Sequence, residues 1–178
     1  TLKERGMGLI DMVVVNLYPF EKTTQKPGVT IEEVIENIDI GGPSMLRSAA
    51  KNHTHVAVVC NPGRYGQILE ELKKNKGALS LELKRDLAVE TFGATSRYDA
   101  VIHGYLKGYF KSIPSSADST WPQKMAFHFE KIQDLRYGEN PHQKAAFYRN
   151  CDEKPRLSGM KQLWGKELSY NNIMDSDA

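Results

Sequence analysis

An α/β fold built on a parallel sheet is predicted by three features of this sequence. Two short β-branched runs, Asp11-Met12-Val13-Val14-Val15-Asn16 and Val56-Ala57-Val58-Val59-Cys60, read as strands buried on both faces. The stretch between them carries helix-start chemistry, and a long apolar stripe at helical spacing follows the second run. Strands that alternate with helices are the mark of an α/β domain.

Each element has a local cause. The first strand runs into Asn16-Leu17-Tyr18-Pro19-Phe20, where Pro19 stops it. Ligands of open α/β sheets collect at the carboxyl ends of strands, so Asn16 and Tyr18 stand where a ligand would bind. Thr30 and Glu33 form a capping box that starts a short helix to about Asn37. Next comes Asp39-Ile40-Gly41-Gly42-Pro43-Ser44, whose paired glycines permit a turn with inward-facing amides. Pro43 suits the first turn of a helix that continues from Met45 to Asn52. After the second strand, Asn61-Pro62 opens a helix to about Asn75, with Gly77 as its stop.

From Ser80 a long helix carries Leu83, Leu87, Phe92, Ala94, Tyr98, Ile102, Tyr105 and Phe110 on a stripe that reads as core. Ile113 to Pro122, rich in Ser and Pro, is the clearest linker. Beyond it, Phe127 to Ile132 alternates like a strand with one wet face, and Ala145 to Tyr148 reads as another. Leu168 to Asp175 has the look of an opening helix. The 178 residues thus divide into 1–111, a linker at 112–125, and 126–178. The last part, about 50 residues, is marginal for an independent core.

Composition excludes several classes. A net charge of +2 is too small to argue for nucleic acid, and Lys73, Lys74 and Lys76 sit at a helix end where cations favour the dipole. No apolar run approaches a membrane span, and Thr1 to Arg5 has neither a signal-peptide core nor an initiating Met, as an internal segment would. Cys60 and Cys151 lack metal-type spacing and read as buried free thiols. His128 and His142, fourteen residues apart without supporting ligands, are not a metal site. No metal or prosthetic group is expected, and the expected compartment is the cytoplasm.

Two constellations carry chemistry. In the first, a Gly41-Gly42 turn before a helix can present amides to an anion or a carbonyl oxygen, with Asp39 at its rim. Lys51 lies eight residues after Pro43, about two helical turns away, so only tertiary folding could bring it to Asp39. Singly, Asp39 reads as a turn former, Lys51 as an exposed helix-end cation and Tyr18 as a packed aromatic. In the second, Arg136 offers a planar five-donor fork for phosphate or a carboxamide oxygen. Tyr137 beside it can stack or donate, and His142 sits on a constrained loop after Asn140-Pro141. A polar turn with a surface histidine is the plain alternative.

In combination these phrases say more. Asn16-Leu17-Tyr18-Pro19-Phe20, Ile38-Asp39-Ile40-Gly41-Gly42 and Arg47-Ser48-Ala49-Ala50-Lys51-Asn52-His53 resemble, in order and spacing, the inosinate cyclohydrolase domain of the bifunctional purine biosynthesis enzymes. Arg136-Tyr137-Gly138-Glu139-Asn140-Pro141-His142-Gln143 with Leu168-Ser169-Tyr170-Asn171-Asn172 resembles the start of the formyltransferase domain of the same family. The resemblance implies the C-terminal part of a methylglyoxal-synthase-like parallel-sheet domain, followed by the start of a second α/β transformylase domain.

It also implies the last two steps of purine synthesis. A formyl group passes from 10-formyltetrahydrofolate, a co-substrate, to the aminoimidazole carboxamide ribonucleotide, and the product cyclises to inosinate with loss of water. By this resemblance Asp39 and Lys51 are an acid–base pair, Tyr18 stands beside the reacting formyl group, and Asn16, Gly41 and Gly42 contact substrate. Arg136, Tyr137, His142 and Asn172 match positions that hold the aminoimidazole ribonucleotide. Partners are then purine-pathway ribonucleotides and a second copy in a homodimer, with no nucleic acid or membrane. An upstream phosphate-binding region and lysine of the family, and a downstream lysine–histidine pair, have no counterpart in this sequence, so the isolated chain is expected to be inactive. The alternative is a non-catalytic nucleotide- or phosphate-binding module of methylglyoxal-synthase-like fold; a remnant that binds nothing is a weaker third.

Overall fold

The computed structural model describes residues 3–110, 127–151 and 155–177. It separates into two compact units, Thr1–Pro114 and Ser115–Ala178. The linker expected at 112–125 lies outside the described residues.

The first unit is organised by two parallel strands, β1 (Met12–Val14) and β2 (Ala57–Val59), with Met12 opposite Ala57 and Val14 opposite Val59. The chain leaves β1 through Tyr18-Pro19 into α1 (Phe20–Thr24) and α2 (Ile31–Glu36), and returns through α3 (Gly41–Lys51) to β2. A 3-10 turn at Pro62–Arg64 leads into α4 (Tyr65–Lys74), and α5 (Leu81–Tyr109) closes the unit. The expected caps are present. Thr30 accepts from the Glu33 amide while Glu33 reaches back to the Thr30 amide, each at 3.2 Å. Ser80 accepts from the Leu83 amide, and Gly77, at φ 89°, donates to the Leu72 carbonyl at 2.7 Å to end α4.

One face of the strand pair, with Val13, Val15 and Val58, packs on Leu46, Ala49 and Ala50 of α3 and Ala88 of α5. The other face, with Met12 and Val59, meets Ile68 and Leu72 of α4 and Leu83 and Leu87 of α5. β2 is buried at every position. β1 is not: Val14 is 49% exposed, because no helix of the described residues covers its end of that face. The prediction of burial on both faces therefore holds for β2 and fails for β1.

The stripe on α5 also needs correction. Leu83 and Leu87 are buried, but they are joined by Ala88, Thr91 and Thr95 rather than by Phe92 and Phe110, which are exposed. Nine residues at about 100° each place Phe92 half a turn away from Leu83. Phe92 instead lies under the Arg47 guanidinium, 5.6 Å from its ring centroid. The glycine turn is a second correction. Gly41 and Gly42 do not precede α3 but form its first turn, in ordinary right-handed backbone. The thiols are free, as expected, but Cys60 and Cys151 are half-buried rather than buried.

In the second unit, β3 (Phe129–Leu135) pairs antiparallel with β4 (Ala145–Asn150), with an irregularity between Lys131 and Gln133. The apolar face expected on β3 is not buried: Phe129 and Ile132 are exposed. Among the described residues of this unit only Gly138 and Ser169 are buried. The helix expected near the end is α6 (Tyr170–Asp177).

Candidate functional site

The first constellation gathers at the carboxyl ends of the two strands. Because α3 runs back to feed β2, its N-terminus lies at that same edge, which brings Asp39 to the loop after β1. Three hydrogen bonds fix Asp39. Its Oδ1 accepts from the Gly42 amide at 2.7 Å, and its Oδ2 from the Tyr18 amide at 3.4 Å. Its own amide donates to the Tyr98 hydroxyl at 2.8 Å. The inward-facing amide expected of the glycine turn is thus present, but Gly42 spends it on Asp39. Gly42 has a steric reason to be glycine: a Cβ there would lie 2.4 Å from Asp39 Oδ2. A Cβ on Gly41 would meet open space, so the backbone at that point is open to approach.

Tyr18 is anchored through its backbone, leaving its ring 57% exposed at the rim. Asn16 lies beside it, its side-chain amide donating to the Tyr65 hydroxyl at 3.3 Å. Tyr18, Asn16, Asp39, Gly41 and Gly42 therefore share one edge. Lys51 does not. It is the last residue of α3, and a helix of this length carries it roughly 16 Å from the edge where Asp39 sits. Within one chain Lys51 thus stands at the opposite end of α3 from Asp39, a rise longer than a lysine side chain.

Sequence reasoning missed Tyr98 as part of this site, having assigned it to the core stripe. Its hydroxyl, besides receiving the Asp39 amide, donates to the Asn37 carbonyl at 3.4 Å. Burial, the main influence, pushes this phenol above its ordinary value, and the charges of Asp39 and Asp99 add to that against the opposing hydrogen bond from Asp39. The ring stands edge-on to buried Phe20, centroids 6.3 Å apart.

The second constellation forms where β3 ends and α6 begins. The Arg136 amide donates to the Leu168 carbonyl at 2.9 Å and the Tyr170 amide to the Tyr137 carbonyl at 3.1 Å, which ties the two segments together. The Arg136 guanidinium lies 4.9 Å from the Tyr137 ring centroid and donates to its hydroxyl at 3.3 Å. Ser169 is the residue that sequence reasoning did not single out. It caps α6, and both its amide and its hydroxyl donate to Asn172 Oδ1 at 3.0 Å. That arrangement engages the Asn172 side-chain carbonyl. Hydrogen bonds from Ser169 first, then Arg136, hold the Tyr137 phenol below its ordinary value. A serine three residues before an asparagine at a helix start was the available signal.

His142 is exposed on the turn between β3 and β4. That turn is closed by the Gly138 amide on the Gln143 carbonyl at 2.9 Å, and a Cβ on Gly138 would meet Gln143 Cβ at 2.9 Å. Arg136 and Tyr137 are brought to the start of the helix that carries Asn172; His142 stands on the neighbouring turn. Among the described residues no cluster of His, Cys, Asp or Glu could hold a metal ion, and no helix is long and apolar enough to cross a membrane.

Residues 49–178 match the family described as AICARFT/IMPCHase bienzyme, and residues 4–44 match the MGS-like domain. Over 178 residues the chain is 52% identical to "Bifunctional purine biosynthesis protein PurH" of Desulfitobacterium hafniense, in strains DSM 10664 / DCB-2 and Y51. It is 47% identical to the protein of that name in Polynucleobacter necessarius subsp. necessarius (strain STIR1). Each alignment covers 99% of this chain and 34% of the relative, so the chain spans about a third of those proteins. Among solved structures, one described as "Crystal structure of ForH" is similar with a TM-score of 0.51 at 33% identity, over 57% of this chain and 53% of that one.

Proposed function

The chain belongs to the AICARFT/IMPCHase bienzyme family, and on that premise we propose that the protein containing it performs the last two steps of purine synthesis. In this reading the first unit supplies part of the ring-closing site and the second unit part of the formyl-transfer site, with domain boundaries at 1–111 and 126–178. The observation that carries it is the junction of Tyr18, Asp39 and Gly42 at the carboxyl edge of the strands.

Ring closure requires the carboxamide nitrogen to attack the formyl carbon. A C–N bond forms as the carboxamide nitrogen loses a proton and the formyl oxygen gains one; the C–O bond then breaks, the formamido nitrogen gives up its proton, and water departs. Asp39 suits the proton-accepting part because the Gly42 and Tyr18 amides hold its carboxylate in a single place. Tyr18, its ring free at the rim, suits orientation of the formyl oxygen, with Asn16 beside it and Gly41 open to close approach. Lys51 keeps a catalytic role in this reading, exercised from the far end of α3 and not as the direct proton partner of Asp39.

At the second site Arg136, Tyr137 and Asn172 present donors toward a ligand, and His142 adds a ring nitrogen from the next turn. Such a set suits an aminoimidazole carboxamide ribonucleotide, with 10-formyltetrahydrofolate as the formyl donor held by residues elsewhere. The assembled protein is read as a cytoplasmic homodimer. Family membership across 49–178 supports the enzyme reading over a free-standing nucleotide-binding module.

The test separates the two sites in the full-length protein. Asp39→Asn should abolish ring closure and spare formyl transfer, whereas Arg136→Ala should weaken ribonucleotide binding for formyl transfer and spare ring closure. Parallel loss of both activities in either variant would refute this division.

A further inference from the structure

Tyr98 lies on α5, far in sequence from every residue assigned to the ring-closing site, yet it is bonded to that site's backbone. Its hydroxyl receives the Asp39 amide at 2.8 Å and donates to the Asn37 carbonyl at 3.4 Å. These two groups bracket Ile38, the short connection between the end of α2 and the start of α3. Glycine Gly42 and the Tyr18 amide hold the Asp39 carboxylate; Tyr98 holds its main chain. The ring of Tyr98 is itself set against Phe20, which is 1% exposed and follows Tyr18 by two residues. Phe20 in turn stands edge-on to Tyr105 of the same helix, centroids 5.9 Å apart.

A half-buried phenol that spends both its donor and its acceptor on one loop is built to fix that loop. We propose that Tyr98 is a positioning residue for ring closure: its hydroxyl sets the place of Asp39 while its ring sets the place of the Tyr18 loop. This rests on the reading of Asp39 and Tyr18 given above. Packing alone would be served equally by phenylalanine, which has the same ring and would leave the Asp39 amide and the Asn37 carbonyl without their shared partner.

The test is Tyr98→Phe and, separately, Asp39→Asn in the full-length protein, with both activities and the folded fraction measured at one temperature. We expect kcat for ring closure, per folded molecule, to fall at least about tenfold at unchanged KM, as misplacement of a catalytic group does. Formyl transfer should stay at its original rate. Wild-type kcat in Tyr98→Phe, with Asp39→Asn inactive, would overturn the role of Tyr98 alone. A parallel loss of formyl transfer, or loss accounted for by unfolded protein, would also overturn it. Normal ring closure in Asp39→Asn would overturn the underlying reading of the site, and the role of Tyr98 with it.

Discussion

Replacing Gly42 with alanine tests the site at its tightest point. An added Cβ would lie 2.4 Å from Asp39 Oδ2 and 2.8 Å from Cγ and Oδ1. The shortest ordinary contact is 3.4 Å, so the carboxylate must retreat by about 1 Å, and a displacement of that size can cost roughly 100-fold in rate. The retreat also breaks the 2.7 Å bond from the Gly42 amide to Oδ1. Stability should change far less. Asp39 is half-exposed, so water can replace part of the lost bond, and alanine in the helix recovers up to about 1 kcal/mol of backbone entropy. The expected result in the full-length protein is a loss of ring-closure kcat of about two orders of magnitude. The melting temperature should move by no more than several degrees, and formyl transfer should persist. The assay is stopped-time conversion of the formamido ribonucleotide to inosinate alongside a thermal melt. Near-normal ring closure with a normal melt would refute the argument, because Asp39 would then have no need of its observed place.

Three further outcomes follow from the same coordinates. Leu46, fully buried between the strands and α5, should cost about 2–5 kcal/mol as alanine, lowering the melting temperature of its unit by at least about 8 °C by calorimetry. Ser169→Ala removes the hydroxyl that donates to Asn172 Oδ1, leaving only the backbone amide there, and should cut formyl-transfer kcat/KM by up to roughly tenfold, a hydrogen bond's worth; an unchanged value would count against the second site. Tyr98 holds its proton more tightly folded than unfolded, so its contribution to stability is complete below pH 10.0 and is lost as pH rises through the raised folded value. Denaturant titrations above pH 10 should therefore fall less steeply for Tyr98→Phe than for the unchanged protein.

The sequence was most legible where chemistry is local. The Thr30–Glu33 capping box, the Ser80 cap and the Gly77 stop depend on residues within a few positions, and each is present. Both strands of the first unit were readable from their β-branched runs. The exposure of Val14 was not, because it depends on which helix covers the end of β1. Phe92 and Phe110 were placed on the wrong face because near-helical spacing drifts over a 29-residue helix. The site divides in the same way. Asp39 and the glycines stand together because they are neighbours in sequence, and Tyr18 joins them by strand topology. Tyr98 could not be found, since 59 residues separate it from the amide it receives and nothing in its neighbourhood marks its hydroxyl as engaged. The separation of Asp39 from Lys51 along α3 follows from helical rise alone, and their pairing was implied by the family resemblance rather than by their spacing.

The most direct test of the whole account is to give the purified full-length protein the formamido carboxamide ribonucleotide without folate and follow the purine product. The account predicts inosinate at a rate that Asp39→Asn removes. Tight binding of the ribonucleotide with no inosinate formed would contradict it and leave a nucleotide-binding module in its place.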